Sequence, residues 1–146
     1  MGCGVGNLVY AAAILGDGNF QRCVVIDNIQ ALIDRGEKRA LRWERFSENF
    51  SRTIRNVKID WIVDNFLEAD FWYDATYVLL NWTAFSKEQR LQMGAKIDKC
   101  REGSMFVSIT QPIPNDGLEL LAQGACMTSW GPSDYFVQEK VSAGRA

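Results

Sequence analysis

Three glycines on alternate positions, Gly2, Gly4 and Gly6, stand directly before the apolar run Asn7 to Leu15. Glycine lets a backbone turn sharply and approach a ligand closely. A helix that starts straight after such a turn offers unpaired N–H groups and the positive end of its dipole. The chain is therefore expected to open on a ligand site, with a short helix over Asn7 to Leu15. Gly16-Asp17-Gly18-Asn19 reads as a turn, and Arg22-Cys23-Val24-Val25-Ile26-Asp27 as a buried parallel strand ending in a carboxylate. An acid at that point of a β-α-β unit holds a ribose through its hydroxyls, so the two signals together point to a nucleoside cofactor. The plainer alternative for Asp27 is a helix N-cap.

The spacing separates cofactor classes. Dinucleotide binding requires glycines at offsets zero, two and five, and the fifth offset is Asn7 counted from Gly2 and Val9 counted from Gly4. Neither fits. Met-Gly-Cys at a start also invites an acylation reading, with Gly2 and Cys3 carrying lipid, but that signal needs Ser or Thr at position six, where Gly6 stands.

Composition limits the remaining classes. At 146 residues, 47% apolar, the chain has enough material for one sizeable core, and a single domain over 1–141 with a frayed tail at 142–146 is expected. The longest uninterrupted apolar run, Leu8 to Leu15, is far short of a membrane span, so no membrane partner is expected. Cys3, Cys23, Cys100 and Cys126 form no Cys-x-x-Cys pair and the chain has no His, which argues against a zinc site and a disulfide framework. This points to a reducing compartment, cytosol or nucleus. Without His, any proton transfer falls to water, a carboxylate, Tyr, Lys or Cys. The net charge is −2, yet eight of the sixteen basic residues lie between Arg35 and Lys58. Glu37, Glu44 and Glu48 are interspersed there at helix-neighbour spacings, which favours a solvated helix face over a surface for DNA.

Further along, Ile29, Ile33, Ala40, Trp43, Phe46, Phe50 and Ile54 trace one face of a long helix from about Ile29 to Ile54. Val57 to Val63 reads as a third strand, if the one before the glycine turn is counted as the first, and Tyr77 to Leu80 as a fourth ending at Asn81. Ser86 is placed to cap a helix running to about Cys100, and Met105 to Ile109 forms a fifth strand stopped by Gln111-Pro112. Leu118 to Trp130 and Ser133 to Val141 read as a terminal antiparallel hairpin turning at Gly131-Pro132. The alternation predicts an α/β fold with a doubly wound, mostly parallel sheet.

Gly2-x-Gly4-x-Gly6 resembles the first motif of class I S-adenosylmethionine-dependent methyltransferases, a Rossmann-like fold. That family's acidic residue two places earlier has no counterpart here; Met1 stands where the first strand would end, so that strand is expected to be truncated. Leu80-Asn81-Trp82-Thr83-Ala84-Phe85 is similar to the Asn-Asn-Phe-Ala-Phe segment of the disruptor-of-telomeric-silencing family of histone lysine methyltransferases. Asn65-Phe66-Leu67 resembles its Asp-Phe-Leu, Gly103 to Pro112 its Gly-Gly-Arg-Ile-Val-Ser-Ser-Lys-Pro strand, and Ser129-Trp130 with Tyr135-Phe136 its closing Ser-Trp and Tyr-Tyr hairpin. The order of the pieces agrees from Gly2 to about Val141, and the family's helical N-terminal half has no match.

This resemblance implies S-adenosyl-L-methionine as cofactor, with Gly2, Gly4 and Gly6 against its methionine part, Asp27 on the ribose hydroxyls and Phe66 on adenine. Asn65, or Asp64 if the loop shifts by one, would accept from the adenine amino group. Asn81 would stand beside the sulfonium methyl, with Phe85, Trp130 and Tyr135 lining a channel for a lysine amine. Core packing is the competing explanation for Phe66, Phe85 and Trp130. The resemblance further implies a histone or nucleosome partner, a lysine in the globular core of histone three as acceptor, a nuclear location and contact of the Arg35 to Lys58 segment with nucleosomal DNA. Two rivals stay open: a methyltransferase of the same fold with another acceptor, and a non-catalytic module that keeps the fold for interaction.

Overall fold

The computed structural model describes residues 6–16, 19–49 and 56–142, which fall into two compact units, Gly2–Phe66 and Leu67–Ala146. Gly2, Gly4, Phe50 and Ile54 lie outside the described residues, as does the tail from 143 onward.

In the first unit, α1 (Asn7–Leu15) follows the glycine turn, β1 (Arg22–Asp27) and β2 (Lys58–Val63) form a parallel pair, and α2 (Gln30–Ser47) connects them. β1 reads as a continuous apolar run because most of it is interior: Cys23, Val25, Ile26 and Asp27 are buried. At its start the Arg22 guanidinium bonds Asp60 at 2.6 Å and Lys58 lies 3.2 Å from the same carboxylate, which holds the Asp60 carboxyl below the usual range. One cluster of this unit's core joins Ala13 of α1, Cys23 of β1 and Val57, with Val9, Phe20, Trp43 and Ile59 packed on it.

The stretch of the expected helix from Phe50 to Ile54 lies outside the described residues, and α2 ends at Ser47. The short polar side chains there compete for the backbone: Ser47 Oγ donates to Glu44 O, and both the Asn49 amide N–H and its side-chain amide donate to Phe46 O.

In the second unit, β3 (Tyr77–Asn81), β4 (Met105–Ile109), β5 (Leu118–Thr128) and β6 (Gly131–Lys140) make a four-stranded sheet in the order β3-β4-β6-β5. β3 and β4 are parallel, and β6 runs antiparallel between β4 and β5. Among the described residues two pairings are parallel, and the two antiparallel ones are both made by β6 of the terminal hairpin. The connection from β3 to β4 is α3 (Lys87–Lys96), extended by a 3-10 turn over Ile97–Lys99. Ser86 and Gln89 form a reciprocal capping box at its start, and Gly94 lies so close to Pro114 O that no side chain fits between.

The hairpin turns at Ser129-Trp130 and not at Gly131-Pro132, which belong to β6. Gly131 follows the loop at φ 125, in the region that favours glycine, Thr128 Oγ1 donates to Gly131 O, and Pro132 is tolerated as the second residue of its strand. Among the described residues no helix is long and apolar enough to cross a membrane, and no cluster of His, Cys, Asp or Glu is placed to hold a metal ion. Cys23, Cys100 and Cys126 are free thiols.

Candidate functional site

In a parallel pair joined by helices, ligands bind beyond the carboxyl ends of the strands. The first unit collects its polar groups there. Asp27, only 6% exposed, closes β1, and its Oδ1 accepts the Ile29 amide N–H at 3.1 Å, an Asx turn that aims the carboxylate before α2 begins. Ile29 is the N-cap residue of α2, so Asp27 supports that helix start from two residues upstream and is not its cap. Asp27 O accepts the Asp64 N–H at 3.1 Å, which draws the end of β2 alongside. Asp64 Oδ1 accepts the Asn65 N–H at 2.7 Å, Asn65 is half-buried and Phe66 is buried. Asp27, Asp64, Asn65 and Phe66 therefore gather at one end of the parallel pair.

Gly6 is the N-cap of α1, buried and left-handed at φ 71, and its carbonyl accepts the Val9 N–H. The conformation and the space both require glycine, since a Cβ would lie 2.5 Å from Trp61 Cη2. The same end of the indole, Cζ3 and Cη2, also presses on Gly36 of α2, where a Cβ would overlap the ring outright. Trp61 of β2 thus occupies a slot lined by two glycines, with Tyr10 at 6.2 Å between ring centroids. Among the described residues Trp61 Nε1 and the Tyr10 hydroxyl are both buried without a hydrogen-bond partner, and burial pushes the Tyr10 phenol up, with Arg39 opposing the shift. No motif in the sequence singled out Trp61 or Gly36. The signal available was a glycine inside an otherwise good helix pattern.

In the second unit, Asn81 is the last residue of β3 and pairs with Ile109 of β4; Ile109 pairs with Tyr135 of β6, and Tyr135 with Gly124 of β5. Directly paired residues share a face, so Asn81 and Tyr135 stand on one face, two strands or roughly 10 Å apart. Gly124 leaves room for the Tyr135 ring, with a Cβ there 2.9 Å from Cε1. Phe85 is half-buried in the turn after β3, its N–H bonded to Trp82 O. Trp130, 54% exposed at the hairpin tip, lies five positions from Tyr135, roughly 17 Å of extended strand. Core burial does not describe Trp130, and the sheet register does not bring it beside Asn81.

Beside Asn81 the structure adds two threonines. Thr83 Oγ1 lies 2.8 Å from Thr110 Oγ1 and 3.4 Å from Asn81 Oδ1. Thr110, immediately after β4, has φ 87, a strained conformation for a β-branched residue. Its N–H donates to Asp134 O at 2.7 Å, while buried Trp82 and Ser108 both donate to Gln111 O, so the strained corner is fixed from two sides.

No protein-family model matches the sequence, and no curated protein matches it in sequence. Solved structures do match its fold. Magnesium protoporphyrin IX methyltransferase (ChlM) from Synechocystis PCC 6803 with bound S-adenosylmethionine is similar at TM-score 0.66 and 12% identity, over 95% of this chain and 67% of that one. The N-methyltransferase NodS from Bradyrhizobium japonicum WM9, in complex with S-adenosyl-L-homocysteine, reaches TM-score 0.69 at 13% identity, over 96% and 75%. The rRNA methyltransferase aviRa from Streptomyces viridochromogenes gives 0.63 at 10%, over 92% and 72%. The chain has the Rossmann-like fold of the class I methyltransferases.

Proposed function

We propose that this chain binds S-adenosyl-L-methionine and transfers its methyl group to an amine. The observation that carries the reading is Asp27: a buried carboxylate held by an Asx turn at the carboxyl end of a parallel strand, within a fold whose solved examples include structures with S-adenosylmethionine or S-adenosylhomocysteine bound. The residues present fit such a group. A fixed carboxylate accepts two ribose hydroxyls, Phe66 offers an aromatic face for adenine, Asn65 or Asp64 an acceptor for its amino group, and Gly6 a left-handed turn into the start of α1. The cofactor supplies an electrophilic methyl; the protein's part is alignment and an unprotonated acceptor.

For the acceptor, the resemblance to histone lysine methyltransferases favours a lysine of histone three within a nucleosome, and hence a nuclear location. Asn81, Tyr135 and Phe85 are its proposed contacts. An aromatic, water-poor surface disfavours ammonium and lowers the lysine pKa without a dedicated base. A second reading, the same chemistry on a different acceptor, is favoured by the range of acceptors named for the similar folds, a porphyrin and ribosomal RNA among them.

Calorimetric titration with S-adenosylhomocysteine, with a nicotinamide dinucleotide as control, tests the cofactor. Heat is expected with the first alone, and silence with both compounds overturns the reading. Radiolabelled methyl transfer to nucleosomes, compared with total RNA and small amines, then separates the acceptors.

A further inference from the structure

α2 separates its charges by face. At about 100° per residue, Arg35, Lys38, Arg42 and Arg45 fall within roughly 80° of arc and along ~15 Å of helix axis, whereas Asp34, Glu37, Glu44 and Glu48 fall within another arc of roughly 80°. The buried side, with Ile33, Gly36 and Ser47, lies opposite the basic arc and borders the acidic one. Opposite charges at helix-neighbour spacing are limited to the edge of the row, where Asp34 and Lys38 are four positions apart and Arg45 and Glu48 three. Glu37 and Glu44 have no basic residue three or four positions away, while Arg35 neighbours Lys38 and Arg39, and Arg42 neighbours Lys38, Arg39 and Arg45. Such cation-on-cation spacings destabilise a helix by themselves. All four ridge cations are exposed, and none makes an ion pair or side-chain hydrogen bond among the described residues. Arg39 sits at the edge and is bonded instead to Asn7 Oδ1.

We propose that this ridge binds the phosphodiester backbone of a polynucleotide. Three of its four cations are arginines, whose planar forks match phosphate oxygens two at a time. A straight, regularly spaced row of cations with no acid inside it suits the continuous anion line of a nucleic acid strand. An acidic protein surface, where carboxylates are mixed with cations, suits it less. DNA and RNA share this chemistry, and parallel measurements distinguish them.

The test is fluorescence anisotropy of the chain with labelled DNA and RNA duplexes of about 20 base pairs over a salt series. Four phosphate contacts give a slope of log K against log salt near about −3.6 for DNA, so affinity falls roughly hundredfold between about 50 and 200 mM salt. Substituting Arg35→Gln, Lys38→Gln, Arg42→Gln and Arg45→Gln together is expected to abolish binding, and Arg42→Gln alone to flatten the slope by about one. Glu37→Gln with Glu44→Gln, on the neighbouring arc, is expected to leave binding undiminished. Equal affinity for both duplexes identifies a backbone contact, and a preference for one identifies its source. Failure of the unmodified chain to bind either duplex overturns the proposal. So does a slope indifferent to Arg42→Gln in a variant that melts like the parent, or ridge-dependent binding of poly-glutamate without binding of duplexes.

Discussion

Asn81 and Tyr135 stand in one row of the second unit's sheet, each paired with Ile109 from opposite sides of β4. Fifty-four positions of sequence separate them. Their side chains share a face because paired residues on neighbouring strands project the same way. The strained Thr110 follows the residue that joins them.

That row predicts a separation of rate from binding. Asn81→Ala and Tyr135→Phe are expected to lower kcat for methyl transfer at least tenfold while changing cofactor affinity by less than about threefold, since their proposed partners are the methyl group and the amine. Single-turnover assays beside calorimetry check this. Parent rates in both variants would remove the pair from the acceptor site.

Asp27 does two things, and two substitutions separate them. Asp27→Asn keeps an acceptor for the Ile29 N–H but loses the charge, so the melting temperature should hold while S-adenosylhomocysteine binding weakens about tenfold or more. Asp27→Ala loses both, adding roughly 1 kcal/mol of instability. Unchanged affinity in Asp27→Asn would sink the ribose assignment.

The Trp61 slot predicts a coupled pair. Gly36→Ala drives a methyl into the indole and is expected to destabilise the chain by roughly 1–3 kcal/mol. Trp61→Phe shrinks the ring and removes a buried N–H that has no partner among the described residues, so it costs less than its lost area suggests. Combined, they are expected to be more stable than the sum of the single effects implies, which urea denaturation measures. Strict additivity would show that the two residues do not meet.

Burial, reinforced by Asp98 and opposed by Lys140, pushes the Cys100 thiol up to about 11. The folded state therefore holds this proton more tightly than the unfolded chain, where a thiol titrates near ~8.5. The contribution is complete below that lower value and is lost as pH rises through about 11. Thermal melts between pH 8 and 11 should fall more steeply for the parent than for Cys100→Ala. Near neutral pH the Cys100 thiol should also resist alkylation.

Contiguous residues were enough to locate much of this protein. The span of β1 follows from an apolar run bounded by turn residues, and the start of α3 from Ser86 and Gln89, because their hydrogen bonds close within a few residues. The carboxylate at position 27 and the glycine at position 6 were likewise legible, since strand ends and positive φ leave residue-type signatures. Other features depended on partners far along the chain. The insertion of β6 between β4 and β5, the shift of the hairpin turn to Ser129-Trp130 and the end of α2 at Ser47 were settled by hydrogen-bond competition and strand register, which periodicity does not encode. The Gly6-Trp61-Gly36 slot and the Asn81-Ile109-Tyr135 row are tertiary facts in the same sense. A local pattern fixes which way a residue points within its own element, but only packing and pairing between elements fix what it meets.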